Sequence, residues 1–252
     1  MLKIDLHIHS IHSGHAFGTL YDICAEAARK GMLAVGVSDH GPAVPGTLAP
    51  INFHMRKRAP RFMDGVRLLW GCEANVLNHD GELDIDEETR QGLDYVIAGL
   101  HDCYGFVDRG AAENTLAMTR AFALPEVKIC AHPFALSYPI DHDSLFEAAI
   151  ENGVLLEVNL SSLARRKSGI IESHRRMIDV VRSHGAKLIV DSDAHFLHEI
   201  GDDWILDECR DALGLDDEIM INNRPDELAA FLGVELGEPT PPNHTSKLSP
   251  SL

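Results

Sequence analysis

Four histidines, His7, His9, His12 and His15, crowd the start of the chain directly after an apolar run, MLKIDLHIHSIHSGHAF. Imidazoles at this density either decorate an exposed polar arm or begin a metal site on the first strand of the fold. The spacing favours the metal site. Side chains at i and i+2 of a strand point to the same side, so His7 and His9 share a face, as do Asp193 and His195 in DSDAH (191–195). Single metal-competent residues also stand at or near the ends of other apolar runs: His40, Glu73, His101 and His132. Imidazole and carboxylate without cysteine suit Zn, Mn or Fe rather than a thiolate zinc site. These histidines exceed the needs of one ion, so more than one is expected. Glu73 is the natural bridge because a carboxylate has two oxygens to share. Asp5 and Asp191 lie two residues deeper on the same faces, where a carboxylate could hold an imidazole tautomer.

The elements that must position these residues alternate in type. Seven β-type runs are read at 2–9, 33–40, 67–76, 94–101, 127–132, 154–160 and 186–195. Helical patterns between them are TLYDICAEAARKG, NTLAMTRAFAL, DHDSLFEAAIENG and ESHRRMIDVVRSHG, three of which end in a capping glycine (Gly31, Gly153, Gly185). Apolar strands alternating with helices imply an α/β fold with parallel strands, and seven strands come close to a (β/α) barrel. In such a barrel the carboxyl ends of the strands share one face, and there the polar residues collect. The other ends of the same runs read LK, LA, RL and VK. One domain is expected over 1–236, followed by a Pro-, Ser- and Thr-rich tail over 237–252 with the composition of a disordered segment.

Composition narrows the function. A net charge of −17 argues against a general nucleic-acid or anionic-membrane binder, since phosphate contacts need a basic face. No apolar run approaches the roughly 18 residues of a membrane span, and MLKIDLHIHS has no signal-peptide core. Five scattered cysteines without a CxxC fit a reducing compartment, so a cytoplasmic location is expected.

HIHS at 7–10, SDHG at 38–41, the glutamate of GCEAN, the histidine of AGLH, AHP at 131–133 and DSDAH at 191–195 together resemble the polymerase and histidinol phosphatase (PHP) family. The likeness is closest to its stand-alone YcdX-like phosphatases, through HAFGTL, SDHGP, NFHMRKRAPRFMDGV, GCEANVLNHDGELD and NLSS, and runs from about residue 4 to 200. The resemblance implies a distorted seven-stranded (β/α)7, TIM-like barrel with three divalent metals, usually zinc, at its mouth. His7, His9, Glu73 and Asp193 would hold the first metal. Glu73, His101 and His132 would hold the second, and His15, His40 and His195 the third. His12 falls on no ligand position, and His54 reads as a polar loop residue. His79, His142, His174, His184, His198 and His244 read as ordinary surface residues.

A cluster of this kind suits phosphoester hydrolysis: it acidifies water to a nucleophile and neutralises phosphoryl oxygens. Glu73, Asp193 and His195 are the residues expected to carry catalysis on a small phosphomonoester. Arg56, Arg61 and Arg166, with Lys167, are the candidates for phosphate binding, because an arginine fork matches two phosphate oxygens. A phosphodiesterase or nuclease, and a metal-binding protein without catalysis, are the competing readings. No Gly-rich phosphate loop is present, and no lysine stands at a strand end to serve an amidohydrolase centre. YcdX-like proteins form oligomers, but no interface stripe is legible here.

Overall fold

The computed structural model describes residues 1–237 except 48, 103 and 104, so Cys103, His244 and the expected tail beyond Gly237 lie outside the described residues. Every expected apolar run contains strand: β1 (Ile4–Ile8), β2 (Ala34–Val37), then β3 (Phe62–Met63), β4 (Val66–Trp70) and β5 (Glu73–Asn75). Four more follow: β6 (Val96–Gly99), β7 (Val127–Cys130), β8 (Leu155–Asn159) and β9 (Leu188–Asp191). The described residues therefore hold nine strands, in two sheets ordered β1-β2-β4-β3 and β5-β6-β7-β8-β9. All pairings are parallel except β3 with β4.

This corrects the expected count of seven strands. The run 67–76 divides because the chain changes partner at Gly71. Its N–H still bonds Val37 O beside β2 (2.9 Å), whereas Cys72 O already accepts from Ile97 of β6 (2.9 Å). Glycine is required there, since a Cβ would stand 2.4 Å from Cζ of the buried Tyr95 ring.

Helices α1 (Leu20–Arg29), α2 (Ile51–Met55), α3 (Glu87–Gln91) and α4 (Ala111–Phe122) lie in the first connections. They are followed by α5 (His142–Glu151), α6 (Leu160–Ala164) and α7 (Ile170–Ser183), and then by α8 (Trp204–Leu213) and α9 (Pro225–Leu232) beyond the last strand. Local chemistry sets their starts. Thr19 and Asp22 form a capping box on α1, Asp141 accepts from Ser144 N–H on α5, and Asn159 does the same for Ser162 on α6. No helix among the described residues is long and apolar enough to cross a membrane.

Strands buried on both faces divide the core. Ile4, Leu6, Leu69, Tyr95, Ile97 and Ile189 pack inside, closed by Leu228 and Leu232 of α9. A second layer joins β5–β9 to α4, α5, α7 and α8, and a third joins β1, β2 and β4 to α1.

The two sheets meet at their edges through isolated bridges, Ile8 with Ala194 and His40 with Glu73. Between β1 and β9 the seam is otherwise spanned by side chains. Asp191 accepts from Leu6 N–H (2.7 Å), and Asp5 accepts from Ser192 N–H (3.1 Å) and Gly201 N–H (2.9 Å). Asn222 donates to Ile4 O (3.0 Å) and Val190 O (2.8 Å) and accepts from Val190 N–H (2.9 Å). Asp5 and Asp191 thus hold backbone, not the imidazole expected of them. Replacing Asn222 with Ala strands buried backbone groups on both strands, each costing about 1–3 kcal/mol. We expect a loss of about 2–4 kcal/mol in urea unfolding at unchanged slope; a change under about 0.5 kcal/mol would show the seam is held elsewhere.

Candidate metal centre

The strand ends and the loops after them gather nine side chains, seven of which line one cleft. His7 lies next to the end of β1, within a register shift between Asp5 and Ile8, and His9 follows the strand. Glu73 opens β5, His101 and His132 stand just past β6 and β7, and Asp193 and His195 just past β9. His40 lies past β2, bridged to Glu73, and His15 comes from the turn after the 3-10 helix Ile11–Ser13. His132 (φ +25°) and Asp193 (φ +55°) adopt left-handed backbone, which non-glycine residues avoid unless their surroundings impose it. Gly99 makes room for a ligand: a Cβ there would lie 2.5 Å from Cε1 of His101.

The buried Glu73 carboxylate sits in the middle. Its Oε1 lies 2.8 Å from His132 Nε2 and 3.1 Å from His101 Nε2. Its Oε2 lies 2.7 Å from His40 Nδ1, 3.3 Å from His7 Nε2 and 3.4 Å from His9 Nε2. Asp193 Oδ1 is 3.2 Å from His9 Nε2 and 3.6 Å from His7 Nε2. Three sets place their donor atoms within 4.8 Å of one another: His7, His9 and Asp193; His40, Glu73 and His101; and His9, His40 and His195.

The hydrogen bonds behind the rings reveal what these atoms face. His7 Nδ1 lies 2.7 Å from the Glu157 carboxylate, and His9 Nδ1 2.9 Å from Ser13 Oγ. His101 Nδ1 lies 2.7 Å from Asn75 Oδ1, and His195 Nδ1 3.0 Å from the Asp193 carbonyl. Each partner is an acceptor, because Ser13 gives its proton to Asp39 and the Asn75 amide donates to Asp84. The Nδ1 atoms of these four rings therefore carry protons, which leaves Nε2 as the lone-pair atom wherever the ring is neutral. Their Nε2 atoms stand close to other imidazole nitrogens: His7 to His9 at 3.1 Å, His101 to His132 at 3.1 Å, and His195 to His15 at 2.9 Å. Imidazole nitrogens gathered this closely around two buried carboxylates form a donor set that fits divalent metal.

The rings differ in the direction in which their surroundings shift them. Burial, reinforced by His40, drives His9 down to about 3, and burial also lowers His101, so both rings are neutral near pH 7. Burial opposes a charged His7, but Glu157, Glu73 and Asp193 outweigh it and push its pKa well up. Burial likewise opposes ionisation of Glu73 and Asp193, yet the imidazoles around them hold both carboxyls below the usual range.

Comparison with known proteins decides the family. The PHP domain profile matches residues 5–129. A Clostridium acetobutylicum protein named "probable phosphatase" is 34% identical over 91% of this chain and 93% of its own length. A Clostridium botulinum (strain Hall) protein of the same description is 36% identical over the same shares. The chain belongs to the PHP domain family. Among solved structures, histidinol phosphate phosphatase from Lactococcus lactis, complexed with zinc, L-histidinol and phosphate, covers 84% of this chain and 92% of its own at a TM-score of 0.56. At 16% identity that likeness is one of fold.

Within this PHP domain the expected arginines do not reach the cleft. Arg56 is buried against Asp39 (3.0 Å) and lies over the Phe53 and Trp70 rings. Arg61 grips Asp94 at the surface (2.6 Å), and Arg166 pairs with Glu208 (2.7 Å) beside Trp204. Arg165, one residue earlier, lines the cleft of about 430 Å³ together with Ser161, Ser162 and Phe196. Sequence reasoning also missed Glu157 and Asn75, which hold His7 and His101. An acidic residue inside the apolar run VLLEVNL was the available signal for Glu157. His12 meets Asn52, and His54 lies 3.2 Å from Thr89 Oγ1, both outside the cleft lining. His174, expected at the surface, is buried against Phe134 with Nδ1 on Ile170 O (2.8 Å), and burial lowers it to about 4.

After refilling with zinc, Glu73→Ala is expected to lose more than one equivalent of metal, because its two oxygens face different imidazoles. His12→Ala is expected to keep the full complement. Metal analysis of the dialysed proteins checks both, and full retention in Glu73→Ala would remove the bridge.

Proposed function

We propose that this PHP domain is a metal-dependent phosphatase that hydrolyses a small phosphomonoester with a three-metal cluster. The observation that carries the reading is the crowding of imidazole nitrogens around the buried Glu73 carboxylate and beside Asp193. His7, His9, Glu73 and Asp193 would hold one ion, Glu73, His101 and His132 a second, and His15, His40 and His195 a third. Zinc suits these donors, and manganese or iron share them. When bound, divalent ions acidify water and neutralise charge on a phosphoryl group.

The chain's own residues supply the rest. Asp193 and Glu73 are the only two carboxylates in the proposed ligand set, so three divalent ions leave the site cationic and attractive to a phosphate dianion. Glu199 accepts from the N–H groups of His195 and Phe196 (2.9 Å each) and so fixes the rim that carries His195. Arg165 on that rim is the residue to grip phosphate oxygens, in place of Arg166. A cleft of about 430 Å³ suits a small ligand. The two bridged sheets support reading the scaffold as a distorted barrel with this cleft at its mouth. The names of the clostridial relatives, and the zinc and phosphate in the lactococcal neighbour, are consistent with the activity.

Phosphate release from a small aryl phosphomonoester tests the proposal, comparing metal-stripped protein with samples refilled with zinc or manganese. Turnover is expected only with metal and is expected to vanish in Asp193→Asn. Arg165→Ala is expected to raise KM about 10–100-fold at unchanged metal content, the loss of one or two charge-assisted hydrogen bonds. Absence of turnover with every metal would overturn the reading.

A further inference from the structure

Behind the metal centre, on the side away from the cleft, lies a buried polar cluster to which no ligand role is given. The Asp39 carboxylate is 2% exposed and Arg56 6%. Asp39 accepts from Ser10 N–H (2.7 Å), Ser10 Oγ (2.9 Å), Ser13 Oγ (2.7 Å) and Arg56 Nη2 (3.0 Å). Arg56 also donates to Gly71 O, at the break between β4 and β5 two residues before Glu73. Ser13 Oγ has one proton, and it goes to Asp39. Its lone pairs are therefore left to accept, from His9 Nδ1 (2.9 Å) and from the backbone N–H of His40 (3.2 Å).

We propose that Arg56, Asp39 and Ser13 form a positioning chain for the metal centre, and that its direction sets the tautomer of His9. A carboxylate paired with a guanidinium can only accept. Asp39 therefore orients the Ser13 hydroxyl, the hydroxyl can only accept from His9, and His9 turns a bare Nε2 toward Glu73 and Asp193. The same three residues tie together the segments that carry His9, His40 and Glu73, from the ends of β1 and β2 and the start of β5. Arg56, which its sequence context suggests for substrate, works from behind the ligands instead. The inference rests on the metal centre proposed above.

Nitrogen-15 NMR of histidine-labelled, metal-free protein reads the tautomer directly, with the His9 signal identified by its loss in His9→Gln. The wild type is expected to show His9 protonated at Nδ1. Ser13→Ala is expected to move it toward the Nε2–H form and to weaken zinc binding about 10–100-fold in chelator competition. Ser13→Thr, which keeps the hydroxyl, is expected to restore both. A merely structural role would lower the thermal midpoint of the metal-free protein and leave the tautomer in place. If Ser13→Ala does not fold, Asp39→Asn is read in the same way. An unchanged tautomer and unchanged zinc affinity in a folded variant would overturn the positioning chain. A wild type that takes up no zinc would instead overturn the phosphatase reading, while the tautomer comparison would still decide this one.

Discussion

A single buried carboxylate, that of Glu73, joins the architecture to the chemistry. Its backbone N–H bonds Ser38 O (3.2 Å) and Asp39 O (3.1 Å), and its carbonyl accepts from Gly41 N–H (2.9 Å), so Glu73 is one of the stitches between the two sheets. Its side chain is wholly buried among five imidazoles. A carboxylate so placed costs far more than it returns unless positive charge surrounds it. Closing the fold at this edge and assembling a cation site are therefore the same event.

The other edge follows the same logic. Ile8 and Ala194 bridge beside His7, His9, Asp193 and His195, and deeper along that seam Asp5, Asp191 and Asn222 stand in for missing ladder bonds. Apolar packing crosses between the halves on the inside, Ile4, Leu6 and Leu69 against Ile97 and Ile189, and polar side chains complete the seams. The joins near the strand ends coincide with the clustered imidazoles and carboxylates, which keeps the site on strand-end backbone while the cleft stays open to solvent. Behind the cluster, Glu157, Asn75, Ser13 and the Asp193 carbonyl each hold one imidazole nitrogen, so His7, His101, His9 and His195 are oriented from behind.

The strands and most residues of the imidazole and carboxylate cluster were legible because their signals are local. Apolar runs buried on both faces stand out without tertiary knowledge, and Gly31, Gly153 and Gly185 each adopt the left-handed φ that ends a helix. Helices α8 and α9 escaped notice, since nothing in their pattern required a place beyond the last strand. The division of the run 67–76 was equally hidden. It depends on the Tyr95 ring lying against Gly71, a contact between residues far apart in the chain.

By itself the sequence determined which residue types stand at the strand ends: imidazole and carboxylate, spaced to share a face. Those facts follow from the two-residue period of a strand. Only the tertiary structure decided which neighbours face the cleft. Arg166 takes a left-handed φ of +48°, and the chain turns so that Arg165 lines the cleft while Arg166 leans on Glu208. Arg56 turned inward because Asp39, Gly71 and two aromatic rings together complete a buried niche for its charge. Strand period is a property of adjacent residues. A salt bridge, a backbone reversal or a partner such as Glu157 is settled by groups that meet only when the chain has folded.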